Sequence, residues 1–352
     1  MRATRVKWMG AALISFSLLA AACSDDATTS TTDATASAGG SEGDIFVTGS
    51  STVAPISSLV ADNFAIAGSP ASVTVDNPGT GDGFAAFCAG EADISDASRP
   101  IKQEEADACA EAGIDFIELE VAFDGLTVMT SPANDAVECL TTADLYALVG
   151  PESEGFDNWS DGQEIATALG SATVLPDAPL DITAPGQESG TYDAFIELAL
   201  GDPTDARVEA GAITDDQAGT TRTDYSSQAD DNAIISGIEG SDTSFGWVGF
   251  AFAQGAGDQV KELEVDAGDG CVAPSDETIA DGSYPLSRSL FIYVSAASLA
   301  DNPAVEEYVD FYLTQLDVAV TEAGYVPLPT ERVDATQTTW DSKTTGSTLL
   351  EG

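Results

Sequence analysis

Three short stretches of the chain place hydroxyl side chains and glycines where a strand pattern gives way to a helix pattern. They read "FVTGSSTVAPI" at 46–56, "VTVDNPGTGDGF" at 73–84 and "ITAPGQESGTYDAF" at 182–195. The first N–H groups of a helix lack intrahelical partners and the helix dipole is positive there, so such turns bind anions. We expect Ser51 or Thr52 to be the N-cap of the first helix. Each turn alone also fits a routine helix cap, but three that converge on one anion would form a binding site.

Arginine is scarce, which draws attention to each one that the chain keeps. Only five arginines lie beyond residue 23. Arg99, in "ADISDASRPI", offers a planar fork of donors that matches two oxygens of a tetrahedral oxyanion. Arg222, in "TTRTDYSSQADDN", has two interpretations. It is either a second anion ligand or the partner of Asp224, Asp230 or Asp231 in an ion pair.

The overall composition excludes several functional classes. The chain has no histidine and no clustered cysteines, which excludes histidine-based acid–base catalysis and disfavours zinc, so we expect no metal and no cofactor. The second glycine-rich stretch lacks the following Lys-Ser/Thr pair of a nucleotide P-loop. Beyond residue 23 there are 60 Asp and Glu against 8 Lys and Arg, a formal charge near −52. This acidic coat suits a salty medium and disfavours nucleic acid and anionic lipid as partners.

The N-terminal segment has the pattern of a lipoprotein signal peptide. Three basic residues precede the apolar run Met9–Ala22 and then Cys23. A run of 14 residues is too short to cross the ~30 Å hydrocarbon core of a membrane. We therefore predict a signal peptide over 1–23 with Cys23 acylated, the alternative being ordinary cleavage and secretion. Residues 24–43, rich in Ser, Thr, Ala, Asp and Gly, are predicted to be a disordered tether.

Four cysteines remain after Cys23 is set aside, and an even number in an exported chain indicates disulfide bonds. Four cysteines allow three pairings. We favour Cys88 with Cys109 and Cys139 with Cys271.

The remaining 300 or so residues exceed the ~100–200 of one domain, so two lobes are expected. Short apolar runs alternate with helical patterns, which indicates an α/β fold. Helices are predicted from Gly190 onward, through Leu200, and from Pro303 to Ala323 with Gly324 as the C-terminal stop.

Four motifs together resemble the Pst-type phosphate-binding lipoproteins that feed the bacterial high-affinity ABC phosphate importer. The motifs are "VTGSSTVAPI", "GTGDGFAAFCAGEADISDASRPI", "ESGTYDAF" and "GYVPLP", and the resemblance extends from Asp44 to about Arg332. It implies a type II periplasmic-binding-protein (Venus-flytrap) fold whose two lobes close over one phosphate. It also implies a non-enzymatic monomer, exported and lipid-anchored to the outer face of the cytoplasmic membrane, that delivers phosphate to an ABC permease.

The resemblance also implies a set of phosphate ligands. A carboxylate facing the anion would accept the proton of phosphate and repel sulfate. Asp96 is the candidate, although a role as a helix or turn cap is the favoured explanation of this residue. Many family members carry an arginine a few residues before Ser-Gly-Thr, where this chain has Pro185, Gly186 and Gln187, so Arg99 or Arg222 would have to supply that charge. The implied ligands are Ser51, Thr52, Val53, Thr80, Ser98, Arg99, Ser189, Gly190, Thr191 and, less directly, Arg222.

Segments 120–130 and 283–294 are expected to be the two hinge strands, so that lobe 1 holds 44–123 and 286–352 and lobe 2 holds 124–285. The missing arginine leaves sulfate, arsenate or a phosphonate open as the ligand. A surface adhesion or signalling lipoprotein with the same fold is also compatible with the sequence. A secreted phosphomonoesterase is disfavoured, because the chain lacks a Gly-x-Ser-x-Gly elbow, a histidine base and a compact acidic cluster.

Overall fold

The computed structural model describes residues 40–187 and 189–350. The predicted signal peptide with Cys23, and the tether as far as residue 39, lie outside these residues. Near the end of the predicted tether, Ser41 donates its amide (2.9 Å) and its hydroxyl (2.8 Å) to the carboxylate of Glu307. Contacts with the folded part therefore begin slightly before the predicted start at Asp44.

The described residues form eleven strands and thirteen α-helices. The strands are β1 (Asp44–Gly49), β2 (Ser72–Asp76), β3 (Ile94–Ala97), β4 (Phe116–Thr130), β5 (Cys139–Thr141), β6 (Asp181–Pro185), β7 (Ser226–Gln228), β8 (Ser244–Gly249), β9 (Lys261–Glu262), β10 (Glu264–Asp266) and β11 (Ser287–Ser295). The helices are α1 (Ala54–Ile66), α2 (Thr80–Cys88), α3 (Gln103–Ala112), α4 (Thr142–Val149), α5 (Gln163–Ala168), α6 (Gly190–Phe195), α7 (Gly201–Glu209), α8 (Asp231–Glu239), α9 (Phe250–Ala256), α10 (Asp276–Ala280), α11 (Ala296–Asp301), α12 (Pro303–Glu322) and α13 (Thr330–Asp341).

Most strands join one sheet that consists of two halves with the same strand order. In the first half the parallel strands lie in the order β2-β1-β3, and β11 runs antiparallel beside β3. In the second half the parallel strands lie in the order β7-β6-β8, and β4 runs antiparallel beside β8. Strand β9 also pairs with β4, and β5 and β10 form a separate two-stranded sheet. This two-lobed α/β architecture confirms the predicted fold class.

The long strand β4 belongs to both halves. Its residues from Phe116 to Gly125 pair with β11, and those from Leu126 to Thr130 pair with β8. At the change of partner, the amide of Leu126 donates to the carbonyl of Leu286 (2.9 Å), just before β11 begins. The chain thus enters the second half along β4 and returns from it immediately before β11.

Aromatic side chains fix the helices that begin at the candidate site. In the second half, the ring of Phe195 at the end of α6 stacks on Trp247 of β8, with 4.0 Å between centroids. In the first half, Phe64 of α1 meets Tyr308 of α12 edge to face at 5.6 Å. Such buried aromatic pairs contribute ~0.5–1.5 kcal/mol each beyond the area that they bury. The predicted helix from Pro303 is confirmed as α12.

The helix predicted from Gly190 onward is interrupted. It continues from α6 as a π-helical turn, Ile196–Leu200, and α7 follows. Ala199 and Leu200, which the pattern placed on the apolar face of one regular helix, are buried, so the apolar spacing does not reveal the π turn.

Two disulfide bonds are present with the predicted pairing, Cys88–Cys109 and Cys139–Cys271. The first joins α2 to α3, and the second joins β5 to the segment after β10. Neither bond links β1–β3 to β6–β8, so neither ties the two halves together. In the described part of the chain, no helix combines the length and the apolar character needed to cross a bilayer.

Candidate anion-binding site

The first turn of the site follows the central strand β1. Gly49 has a φ of +137°, and a Cβ there would lie 2.1 Å from the carbonyl oxygen of Asp96, so only glycine fits this position. The hydroxyl of Ser50 accepts the amides of Thr52 (3.1 Å) and Val53 (3.3 Å). The expectation that Ser51 or Thr52 is the N-cap of α1 is wrong. The chain makes one extra turn before Ala54, so that Ser50 reaches these amides.

The second turn follows β6, the central strand of the other half. Ser189 is the N-cap of α6, and its hydroxyl accepts the amide of Thr191 (3.2 Å). A Cβ on Gly190 would lie 3.9 Å from the carbonyl oxygen of Ser51. The turns after β1 and β6 therefore meet across the cleft, and the hydroxyls of Ser51 and Thr191 have no hydrogen-bond partner among the described residues.

The third turn joins the first on the same side of the cleft. The hydroxyl of Thr80 accepts the amide of Ser98 (3.2 Å), and the two hydroxyls lie 3.0 Å apart. The amide of Gly79 donates to the carbonyl of Gly49 (2.8 Å), which fixes this turn against the end of β1. Thr80 and Ser98 thus lie beside the first turn, as the sequence predicts.

Arg288 is the arginine that contacts these turns, and the sequence analysis missed it. Its Nη2 donates to Oγ1 of Thr52 (3.0 Å), its Nε donates to Oδ2 of Asp124 (3.2 Å), and its Nη1 donates to Oε2 of Glu197. The scarcity of arginine applied to Arg288 as much as to Arg99. No motif distinguishes it, however, because its partners are 91 to 236 residues away in sequence.

Carboxylates surround Arg288 on several sides. Burial lowers the pKa of Arg288, but Asp124 and Glu197 outweigh this effect and raise it. Burial raises the pKa of Asp124 and of Asp193, and in both cases Arg288 offsets only part of the shift. Tyr325, from the late "GYVPLP" motif, also lies in this cluster: burial raises its pKa, and Asp124 adds to the shift. The site thus combines one buried cation with three nearby carboxyl groups.

The two arginines predicted from the sequence both have carboxylate partners. The fork of Arg99 donates to Glu105 at 2.7 and 2.8 Å, and its guanidinium carbon lies 5.5 Å from the ring centroid of Phe84. Arg222 donates to Asp224 at 2.6 and 2.9 Å. The ion-pair interpretation of Arg222 is therefore the one observed.

Arg222 nevertheless lies beside the second turn. It lines a cavity of about 260 Å³ together with Gly186 and Gln187, which precede the Ser-Gly-Thr turn. Its side chain is buried, and its Nη1 has no hydrogen-bond partner among the described residues.

Asp96 lies behind the first turn. Its backbone carbonyl accepts the amide of Ser50 (2.9 Å), whereas its carboxyl group extends beneath α1, where Oδ1 accepts the hydroxyl of Ser57 (2.9 Å). Oδ2 is buried and has no partner in the described part of the chain. Burial raises the pKa of Asp96 to about 8, and the Ser57 hydrogen bond opposes this shift. Asp96 does not act as a helix cap here.

The described residues offer little for a metal ion. Only one group of three potential ligands was found among them, Cys139, Glu264 and Cys271, and its two cysteines are joined in a disulfide. What the site can do chemically is donate hydrogen bonds from amides, hydroxyls and one guanidinium to an oxyanion.

Comparisons with known proteins identify relatives over most of the chain. A PBP superfamily domain matches residues 27–315. The chain is 37% identical over 289 residues to Protein SphX of Synechocystis, covering 82% of this chain and 79% of that protein. It is 34% identical over 282 residues to the phosphate-binding protein PstS of Staphylococcus epidermidis, covering 80% and 78% of the two chains.

Solved structures similar to this chain also include phosphate-binding proteins. A possible phosphate-binding protein from Planctomyces limnophilus superposes with a TM-score of 0.76 at 35% identity, covering 86% of this chain and 99% of that one. PstS from Borrelia burgdorferi superposes with a TM-score of 0.58 at 22% identity, covering 82% and 99%. The second similarity supports the fold alone.

Proposed function

The chain belongs to the PBP superfamily, and we propose that it is an extracytoplasmic receptor that captures inorganic phosphate between its two lobes. The observation that carries this proposal is the meeting of two helix-initiating turns, since Gly190 faces the carbonyl of Ser51 while Arg288 binds Thr52 beside them. Two donor-rich turns from opposite halves can enclose one tetrahedral anion. Relatives named as phosphate-binding proteins match 80% and 86% of this chain.

The proposed ligands come from both halves. The first half supplies hydroxyls and amides of the first turn, with Thr80 and Ser98 beside it, and the second half supplies the start of α6. Hydrogen bonds to a charged group contribute about 1.5–3 kcal/mol each, so a few of them suffice for tight binding. The proposed set is Ser51, Thr52, Val53, Thr80, Ser98, Ser189, Gly190 and Thr191, with Arg288 as the nearest cation and Arg99 and Arg222 in the surrounding shell.

Asp96 is the weakest member of the proposed site. Its carboxyl group is directed to Ser57 beneath α1, and burial raises its pKa to about 8, so it keeps a proton at neutral pH. Only its ionised form, which can only accept a hydrogen bond, would favour protonated phosphate over sulfate.

The two lobes are proposed to move about the strands that connect them. The change of partner in β4 at Gly125 and Leu126, and the return of the chain at Leu286, support hinge segments within 120–130 and 283–294. Lobe 1 would then comprise 44–123 and 286–352, and lobe 2 would comprise 124–285.

We further propose that the protein is an acylated, lipid-anchored monomer without enzymatic activity that passes phosphate to an ABC permease. The support is the signal pattern ending at Cys23 and the family membership. The absence of histidine from the sequence is consistent with a binding role.

Titration calorimetry tests the proposed ligand directly. The mature chain with Cys23→Ser, unfolded and refolded to strip carried anion, should bind phosphate and give no heat with equimolar sulfate. Thr191→Val removes one proposed donor at nearly constant volume and should weaken binding about 10- to 100-fold. Thr338→Val, on an exposed part of α13, is the matched control and should bind as the wild type does. A folded wild type that ignores phosphate would contradict the proposal.

A second candidate keeps the fold and changes the anion. The observation in its favour is that Pro185, Gly186 and Gln187, just before the Ser-Gly-Thr turn, supply no cation, while Arg222 is engaged by Asp224. Arsenate, sulfate and a phosphonate in the same titration separate this candidate from phosphate capture.

A further inference from the structure

We propose that Glu197 is an internal competitor for the anion: its carboxylate occupies the guanidinium of Arg288 and must leave when phosphate binds. The inference rests on the proposed function and adds to it a residue that limits affinity. Glu197 follows the Ser-Gly-Thr turn, inside the predicted helix, and belongs to none of the sequence motifs of the site.

The contacts of Arg288 differ in how firmly they are held. Its side chain is 9% exposed, and Asp124, which it binds through Nε, is 5% exposed. Glu197, bound through Nη1, is 51% exposed. Asp124 is therefore a fixed structural partner, whereas the carboxylate of Glu197 can rotate into water and free Nη1 of Arg288 for the anion.

The Arg288–Glu197 ion pair also spans the cleft. Arg288 lies in β11, which pairs with β3 and β4 in the first half. Glu197 lies in the π-helical turn that follows α6 in the second half. A π turn inserts an extra residue into a helix and is frequent at functional sites. Here the extra residue changes the direction of the side chains after Phe195, and Glu197 contacts Arg288.

The local charges oppose the addition of an anion while Glu197 stays in place. Arg288 is the cation in contact with Thr52, and Asp124, Asp193 and Glu197 all interact with it electrostatically. A phosphate beside Thr52 would meet the negative charge of Glu197 at close range, where like charges repel strongly. If Glu197 turns away, Arg288 regains donors for the phosphate oxygens and keeps its hydrogen bond to Asp124.

Glu197→Gln tests the competition, because it removes the charge at constant size. In the refolded mature chain with Cys23→Ser, phosphate titration should give a Kd about 5- to 30-fold lower for Glu197→Gln than for the wild type. Glu209→Gln, at the exposed end of α7, makes the same change in net charge and should leave the Kd unchanged. An equal decrease in the Kd of both variants would reflect the change in overall charge and would overturn the inference.

The outcomes separate the inference from the proposed function. A wild type that binds phosphate, with Glu197→Gln equal or weaker, overturns the competitor role and leaves phosphate capture standing. If neither the wild type nor Glu197→Gln binds phosphate, both proposals fail. If Glu197→Gln binds phosphate and the wild type does not, Glu197 competes strongly enough to keep phosphate from the site, which supports the inference. Glu197→Ala should behave as Glu197→Gln does, which guards against an effect specific to the amide.

Discussion

At the residue scale, the carboxyl group of Asp96 couples the site to the folding stability of the first half. It is fully buried, its Oδ1 accepts a hydrogen bond from Ser57, and its Oδ2 has none among the described residues. Burial raises its pKa from 3.8 to about 8. Between these values the folded state keeps a proton that the unfolded state has released. The free energy of unfolding therefore falls as the pH rises through this window, by up to about 1.4 kcal/mol per pH unit.

Asp96→Asn should remove this dependence. We expect the stability of the variant relative to the wild type to increase from pH 5 to pH 8, by roughly 1 kcal/mol per unit. The measurement is urea unfolding at several pH values in phosphate-free buffer. Asp62→Asn, on the exposed side of α1, is the control and should follow the wild type. Parallel curves for Asp96→Asn and the wild type would show that Asp96 does not titrate in this window.

The sequence predicted the neutral donors of the site better than its charges. Ser189 caps α6 as the strand-turn-helix pattern favours, because capping is a local rule that depends on neighbouring residues. Thr80 follows Gly79, the N-cap of α2, and its hydroxyl accepts the amide of Ser98 instead. The cation is decided by long-range contacts, since Arg288 reaches Thr52 over 236 positions. The N-cap of α1 is Val53 and not Ser51 or Thr52. The extra turn after Ser50 depends on the fit of Gly49 against Asp96, which is distant in sequence.

At the element scale, α2 begins unusually close to the end of β1. A Cβ on Gly83, in the first turns of α2, would lie 2.4 Å from Cα of Gly49. Gly81, two residues earlier in the same helix, has no atom within 4 Å of such a Cβ. The approach at Gly83 holds Thr80 against Ser98, so glycine here positions the third turn of the site.

Gly83→Ala should therefore destabilise the protein by about 1–3 kcal/mol, because the new methyl group meets backbone that cannot easily move. Gly81→Ala adds the same methyl group to the same helix, but into open space. This variant should be neutral or stabilised by up to ~1 kcal/mol, since alanine favours a helix. Chemical denaturation of both variants measures the difference. Equal effects of the two substitutions would mean that the contact with Gly49 relaxes without cost.

The elements themselves follow local rules to different degrees. Helix α4 follows a local rule, because Thr141 and Asp144 form a capping box at its start. The π turn at Ile196–Leu200 was not predictable, because the apolar residues of this segment match the spacing of a regular helix.

At the scale of the whole molecule, the two halves repeat one plan. Each has three parallel strands with the first strand in the centre, followed by an antiparallel strand at the boundary, β11 in one and β4 in the other. The loop after the central strand of each half forms one side of the site. The chain passes between the halves near Gly125 and Leu286, and each disulfide stays within one half, which supports the proposed movement of the lobes as units.

Distance measurements between spin labels would test this movement. Ile66 at the end of α1 and Val174 before β6 are 82% and 84% exposed and lie in different halves, and Val318 of α12 is 58% exposed and shares the half of Ile66. The four cysteines other than Cys23 are joined in disulfides. In a chain with Cys23→Ser, the free thiols are therefore the two introduced by Ile66→Cys with Val174→Cys, or by Ile66→Cys with Val318→Cys. Phosphate should shift the Ile66–Val174 distance by more than ~2 Å, as in hinge closure, and leave Ile66–Val318 unchanged. Phosphate binding without a shift in either pair would mean that the lobes are rigid and that the anion enters by local opening of the turns.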